Sequence, residues 1–133
     1  MTDRSVTHAT FVLERTYDVP PARVFAAFAA FADKSIKQRW FAAPEEMGPE
    51  QYELDFRIGG QESSRGGPEG GPTYAFEARY EDIVPNERII TSYQMSLNGE
   101  RISVSVATIE LKAQGAATRL ILTEQGAYLD GLD

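Results

Sequence analysis

The stretch Phe11-Val-Leu-Glu-Arg-Thr-Tyr-Asp-Val-Pro-Pro-Ala-Arg-Val-Phe-Ala-Ala-Phe-Ala-Ala-Phe31 changes its hydrophobic period halfway along, and that change decides the fold. Phe11, Leu13, Arg15, Tyr17 and Val19 alternate with Val12, Glu14, Thr16 and Asp18, the period of two expected of a half-buried strand. Pro20 and Pro21 end it. A proline ring presets a helical φ, and its missing N–H is no loss in a first helical turn. Asp18 is near enough to cap that turn or to face its dipole. Val24, Phe25, Phe28 and Phe31 then recur at intervals of three and four, which predicts a helix over 21–31 with an aromatic face. Asp33 caps a second short helix in which Ile36 and Trp40 share a face, ending near Phe41.

Downstream, the pattern is of strands and turns. Tyr52, Leu54, Phe56 and Ile58 alternate with charged residues as one strand, and Tyr74, Phe76, Ala78 and Tyr80 form the apolar side of the next. Between them, Gly59 to Pro72 holds six glycines and two prolines and reads as a flexible loop. Pro85-Asn86-Glu87 turns the chain into Arg88–Met95, and Asn98-Gly99 tolerates the two positive φ values of a type I′ hairpin. Ile102, Val104 and Val106 share one parity while Ile109 and Leu111 fall on the other, so a bulge is expected near Ala107 or Thr108. A last strand, Thr118–Gln125, follows the turn at Gln114-Gly115-Ala116 and stops at Gly126. Six strands and two helices make one α+β domain, 1–133, with an antiparallel sheet that needs cover on one face.

Composition narrows the chemistry. Thirteen basic against twenty acidic residues give a net charge of −7, which repels phosphate backbones and anionic lipid; neither nucleic acid nor membrane is an expected partner. Without cysteine there is no disulfide or thiolate, and with His8 as the one histidine no two-histidine metal site forms within a chain. No cofactor or metal is expected. No signal-type apolar region is visible near Met1, and the expected location is cytoplasmic. The glycine-rich segment lacks a Gly-Lys-Ser/Thr ending, and Glu53, Asp55, Glu77 and Glu81 lie on the polar parity of their strands, as a solvated face requires. On the inward parity, Arg15 needs either an internal anion or a wet, ligand-facing cavity, and Tyr17, Tyr52, Tyr74, Tyr80 and Tyr93 each need a hydroxyl partner if buried.

Five ordered segments carry a resemblance: Arg15 to Phe28, Lys37-Gln-Arg-Trp-Phe41, Asp55-Phe-Arg-Ile-Gly-Gly60, Tyr80-Glu-Asp-Ile-Val-Pro-Asn-Glu-Arg-Ile-Ile-Thr-Ser-Tyr93, and Thr118-Arg-Leu-Ile-Leu-Thr-Glu-Gln-Gly126. The sequence resembles the START-like SRPBCC superfamily, which includes the birch-pollen allergen. Within it, the resemblance is to the branch of activator of heat-shock protein 90 ATPase homologues. It implies a helix-grip fold, in which a curved antiparallel sheet holds a long C-terminal helix over a hydrophobic cavity. That helix would begin near Ala127 and is largely missing from this chain, so a further segment or a homodimer is expected to cover the sheet. Carried over by position, the cavity walls are Arg15, Tyr17, Phe28, Trp40, Phe56, Phe76 and Tyr93. The implied function is non-enzymatic binding of a small apolar molecule. The alternatives are a polyketide-cyclase or aromatase-like enzyme, with Arg15 stabilising enolate charge, and a chaperone-regulating interaction module.

Overall fold

Residues 4–29, 51–67 and 69–131 are described in a computed structural model of the chain. The elements are β1 (Val6–Tyr17), α1 (Pro21–Ala29), β2 (Gln51–Leu54), β3 (Gln61–Gly66), β4 (Tyr74–Val84), β5 (Arg88–Leu97), β6 (Glu100–Gln114) and β7 (Ala117–Leu129). The strands form one antiparallel sheet in the order β1-β7-β6-β5-β4-β3-β2. Seven strands therefore replace the expected six, and one helix is present among the described residues. The expected second helix, Asp33–Phe41, and Trp40 with it, lie outside them.

The break at Pro20-Pro21 acts as read. Pro21 opens α1, and the Pro20 carbonyl accepts from Arg23 N at 3.0 Å and Val24 N at 3.3 Å, which leaves Asp18 outside the first turn rather than capping it. Thr118, fully buried, donates its hydroxyl to Val19 O at 2.7 Å and ties this junction to β7. Val24 on α1 packs on Leu111 of β6 and Leu120 of β7, with Phe25, Phe28, Ile109 and Leu122 around them. Each of those buried leucines contributes ~2 kcal/mol. Register assigns the other side chains to this α1-bearing, inner face: Leu13, Leu122, Ile109 and Ile89 form one row across the sheet, and Ala9, Gly126, Ser105, Tyr93, Ala78 and Glu62 another.

Four expectations are corrected. The segment read as a loop, Gly59 to Pro72, contains β3, whose inner residues Glu62 and Ser64 are polar; it is a strand because its backbone pairs with β2 and β4, not because its side chains alternate. β2 stops at Leu54, so Phe56 and Ile58 lie in the turn that follows, and Ile58 is exposed. No bulge lies near Ala107: β6 pairs with β7 without a shift from Ser103 to Gln114. The irregularity falls instead between Met95/Ser103 and Ser96/Arg101, leaving Ile102 as the extra residue and turning Val104 and Val106 outward, 46% and 37% exposed. Finally, Gly126 does not stop β7. Ala127–Leu129 continue as strand against His8, Thr7 and Val6, so no helix starts at Ala127, and β1 begins at Val6 instead of Phe11. The Asn98-Gly99 hairpin is as expected, with φ of 52° and 82°.

Candidate functional site

The strongest convergence of aromatic and polar groups on the inner face is built around Tyr80. The alternation of β4 points Tyr74, Phe76, Ala78 and Tyr80 inward, and a bulge at Glu81 follows at once. From the other side, the Asp55–Gly60 turn docks on the Tyr80 backbone: Gly59 N donates to Tyr80 O at 2.7 Å and Tyr80 N to Gly60 O at 3.0 Å. This lays the Phe56 ring edge-on against Tyr80, with centroids 4.9 Å apart and an interplanar angle of 81°. The Tyr80 hydroxyl donates to Glu62 Oε1 at 2.7 Å, and both side chains are buried, at 4% and 5% exposure. Burial, then the hydrogen bond to Glu62 and its negative charge, push the Tyr80 phenol well above its usual range, so it remains a proton donor. One strand over, Phe76 and Tyr93 pack at 5.5 Å with tilted rings. The group thus offers apolar ring faces together with one buried, oriented acid–phenol pair.

The sequence-expected residues divide into two sets. Phe56 packs on the buried Tyr80 and Phe76 on Tyr93, with Phe56, Phe76 and Tyr93 themselves partly buried. Arg15 and Tyr17 lie on the edge strand β1, exposed, with Phe28 of α1 beside Leu111 and Leu120. The β1 edge is four strand spacings from β4, roughly 19 Å along the sheet. Arg15 spends a donor on the neighbouring Glu14 carbonyl, at 2.8 Å. Glu62 went unrecognised in the sequence, hidden in a polar run between glycines. Its one signal is that Glu62 and Ser64 stand two apart just before a strand of inward aromatics, one of which, Tyr80, needs a hydroxyl partner. The opposite face carries an open depression of about 460 Å³ lined by residues including Gln61, Glu77, Arg79, Gln94 and Val104. Polar groups on this face pair with one another: Gln94 donates to Glu77 at 2.8 Å and Ser92 to Glu81 at 2.9 Å.

Ser103 stands apart. It lies on the inner face between Met95 and Tyr128, fully buried, with no partner for its hydroxyl among the described residues. An unsatisfied buried hydroxyl costs about 1–3 kcal/mol, so Ser103→Ala is expected to stabilise the protein by about 1 kcal/mol, read as a higher urea midpoint with unchanged slope. A lower midpoint would show that the hydroxyl is satisfied.

Among the described residues, no group of three or more His, Cys, Asp or Glu side chains is placed to hold a metal, and no helix is long and apolar enough to cross a membrane. The chain matches, over residues 18–132, the family described as Activator of Hsp90 ATPase homolog 1-like protein. Among solved structures it is similar to the Mll3558 protein of Rhizobium loti, at 46% identity and a TM-score of 0.78, over 97% of this chain and 85% of that one. An uncharacterized protein of Rhizobium leguminosarum is 42% identical with a TM-score of 0.80, over 99% and 85% of the two chains. Protein CV1439 of Chromobacterium violaceum is 28% identical with a TM-score of 0.60, over 88% and 79%. No curated protein matches.

Proposed function

Since the chain belongs to the Activator of Hsp90 ATPase homolog 1-like family, with the helix-grip sheet that goes with it, we propose that it binds a small, largely apolar molecule on the inner face of that sheet. The observation that carries this reading is the Phe56–Tyr80–Glu62 arrangement: rings packed edge to face beside a buried, hydrogen-bonded carboxylate. Apolar surface with a few fixed polar groups is the usual composition of a small-molecule site. Phe56, Phe76 and Tyr93 supply ring surface. The buried pair of Glu62 and Tyr80 holds the Phe56 ring in place from beneath, while the Arg15 guanidinium is engaged with the Glu14 carbonyl on β1. Binding without turnover is the reading favoured, because nothing in this group besides the acid–phenol pair is suited to proton transfer, and the phenol is held protonated.

The test is titration with an apolar fluorescent probe such as an anilinonaphthalene sulfonate or a long-chain alcohol competitor. Saturable binding at one site is expected. Phe56→Ala and Phe76→Ala should each weaken it about 5–10-fold, the loss of ~1–1.5 kcal/mol of ring contact, with circular dichroism unchanged. Binding that does not saturate, or that ignores both substitutions, would overturn the proposal.

A further inference from the structure

The two edges of the sheet differ in kind. β2 is four residues long, while β1 runs for twelve, every one of them exposed. Among the described residues, β1 has no strand on its outer side. Sheets ordinarily protect such an edge with a proline, a bulge, a short strand or an inward charge. β1 contains no proline, pairs with β7 over all twelve residues without a register shift, and carries one inward charge, Arg15 near its end, which donates to the outward Glu14 carbonyl; it presents Phe11 and Leu13 on one face and Val6 and Val12 on the other, all at least 37% exposed. The free hydrogen-bonding groups are also identifiable. Asp130 N donates to Ser5 O at 2.9 Å, so the odd-numbered residues turn their amides toward β7. The N–H and C=O groups of Val6, His8, Thr10 and Val12 therefore face outward.

We propose that β1 pairs antiparallel with β1 of a second copy, about a two-fold axis at Phe11, to join two sheets into one. A two-fold normal to the sheet keeps inner faces together, so only residues of equal parity can oppose each other. Axes at Phe11 or at Val12 give the longest overlaps. At Phe11 the axis stacks the two Phe11 rings, sets Ala9 against Leu13, and places His8 opposite Glu14 of the second copy at both ends. Glu14 is held on that face by Arg119, through Oε1 at 2.7 Å and Oε2 at 3.2 Å, so the imidazole meets a carboxylate already oriented. At Val12 the axis would set Glu14 against Thr10 and Arg15 against Ala9, with no charge complement. The choice of a second copy rests on this self-complementarity. Eleven paired residues span roughly 36 Å, at the low end of specific interfaces, so the dimer is expected to be micromolar.

Because the chain has no cysteine, single thiols report the register directly. Residues opposed across a non-hydrogen-bonded pair have Cα atoms ~4.5 Å apart, within disulfide reach. Phe11→Cys is expected to cross-link with itself under mild oxidation. Ala9→Cys alone should be at least 10-fold slower, and a mixture of Ala9→Cys with Leu13→Cys should recover the fast rate. Sedimentation of the unsubstituted protein should show a monomer–dimer equilibrium, lost in Thr10→Pro, which removes an outward N–H and leaves the β7 ladder intact. A monomer at several hundred micromolar in sedimentation would overturn the proposal even if a variant failed to fold. Cross-linking at equal rates whichever position carries the thiol would overturn the register and the two-fold.

Discussion

Replacing Gly60 by alanine is expected to destabilise the protein by about 3 kcal/mol or more. A Cβ at Gly60 would stand 2.0 Å from Asp55 O and 2.9 Å from Arg57 O, both backbone atoms of the same turn, so no side chain can swing aside to make room. That turn is held by Arg57 N to Asp55 O at 3.1 Å, Gly60 N to Arg57 O at 2.8 Å and Asp55 N to Gln61 O at 2.8 Å. Opening it would displace Phe56 from Tyr80 and loosen the β2–β3 pairing. The neighbouring glycine is the control. Gly59 has φ of +79° but nothing nearer than Arg79 Nη2 at 3.8 Å, so Gly59→Ala carries only the left-handed strain of ~1–2 kcal/mol. Urea unfolding of the two variants checks the order, and equal midpoints would show that the turn relaxes freely.

Above pH 10 the protein is expected to lose stability faster than its Tyr80→Phe variant, by ~1.4 kcal/mol for each pH unit. The sign follows from the proton. In the unfolded chain Tyr80 ionises near its ordinary value of 10.0, whereas in the fold burial and Glu62 hold its proton to higher pH. Its contribution is therefore complete below pH 10 and is lost as pH rises toward the raised folded value. At neutral pH the protein is the more stable of the two, since Tyr80→Phe leaves Glu62 short of one donor at a buried carboxylate, a cost of about 1.5–3 kcal/mol. The two stability curves should approach each other above pH 10 and meet roughly one to two pH units higher. The other five tyrosines are common to both chains, so the difference curve isolates Tyr80. Parallel curves would mean that the phenol is solvated.

Much of the fold was legible because local rules set it. The proline pair dictated where strand gives way to helix, Asn98-Gly99 dictated a hairpin, and alternation in Tyr74–Tyr80 dictated which side faces inward. Within the candidate site, the inward side of Phe76 followed from the same alternation, whereas Phe56 was read on a strand and instead reaches Tyr80 from the turn after β2. Glu62 was not legible, since a carboxylate facing inward breaks the very pattern by which strands are recognised, and it is tolerated only because a phenol from another strand meets it at 2.7 Å. Gly126 misled for a related reason. It reads as a stop, yet a Cβ there would meet the Tyr128 hydroxyl at 2.6 Å; the glycine makes room for a ring from its own strand, and β7 runs on.

By itself, then, the sequence determined the identity of the helix start, the tight turns, and an antiparallel sheet with an aromatic inner side, all products of steric and hydrophobic preferences acting over a few residues. Tertiary structure alone decided that Gln61–Gly66 is a strand, that Ile102 absorbs the irregularity in β6, and that Glu62 meets Tyr80. Those outcomes depend on backbone groups and side chains far apart in sequence satisfying one another. Such pairing energies exist only once the neighbouring strand is in place.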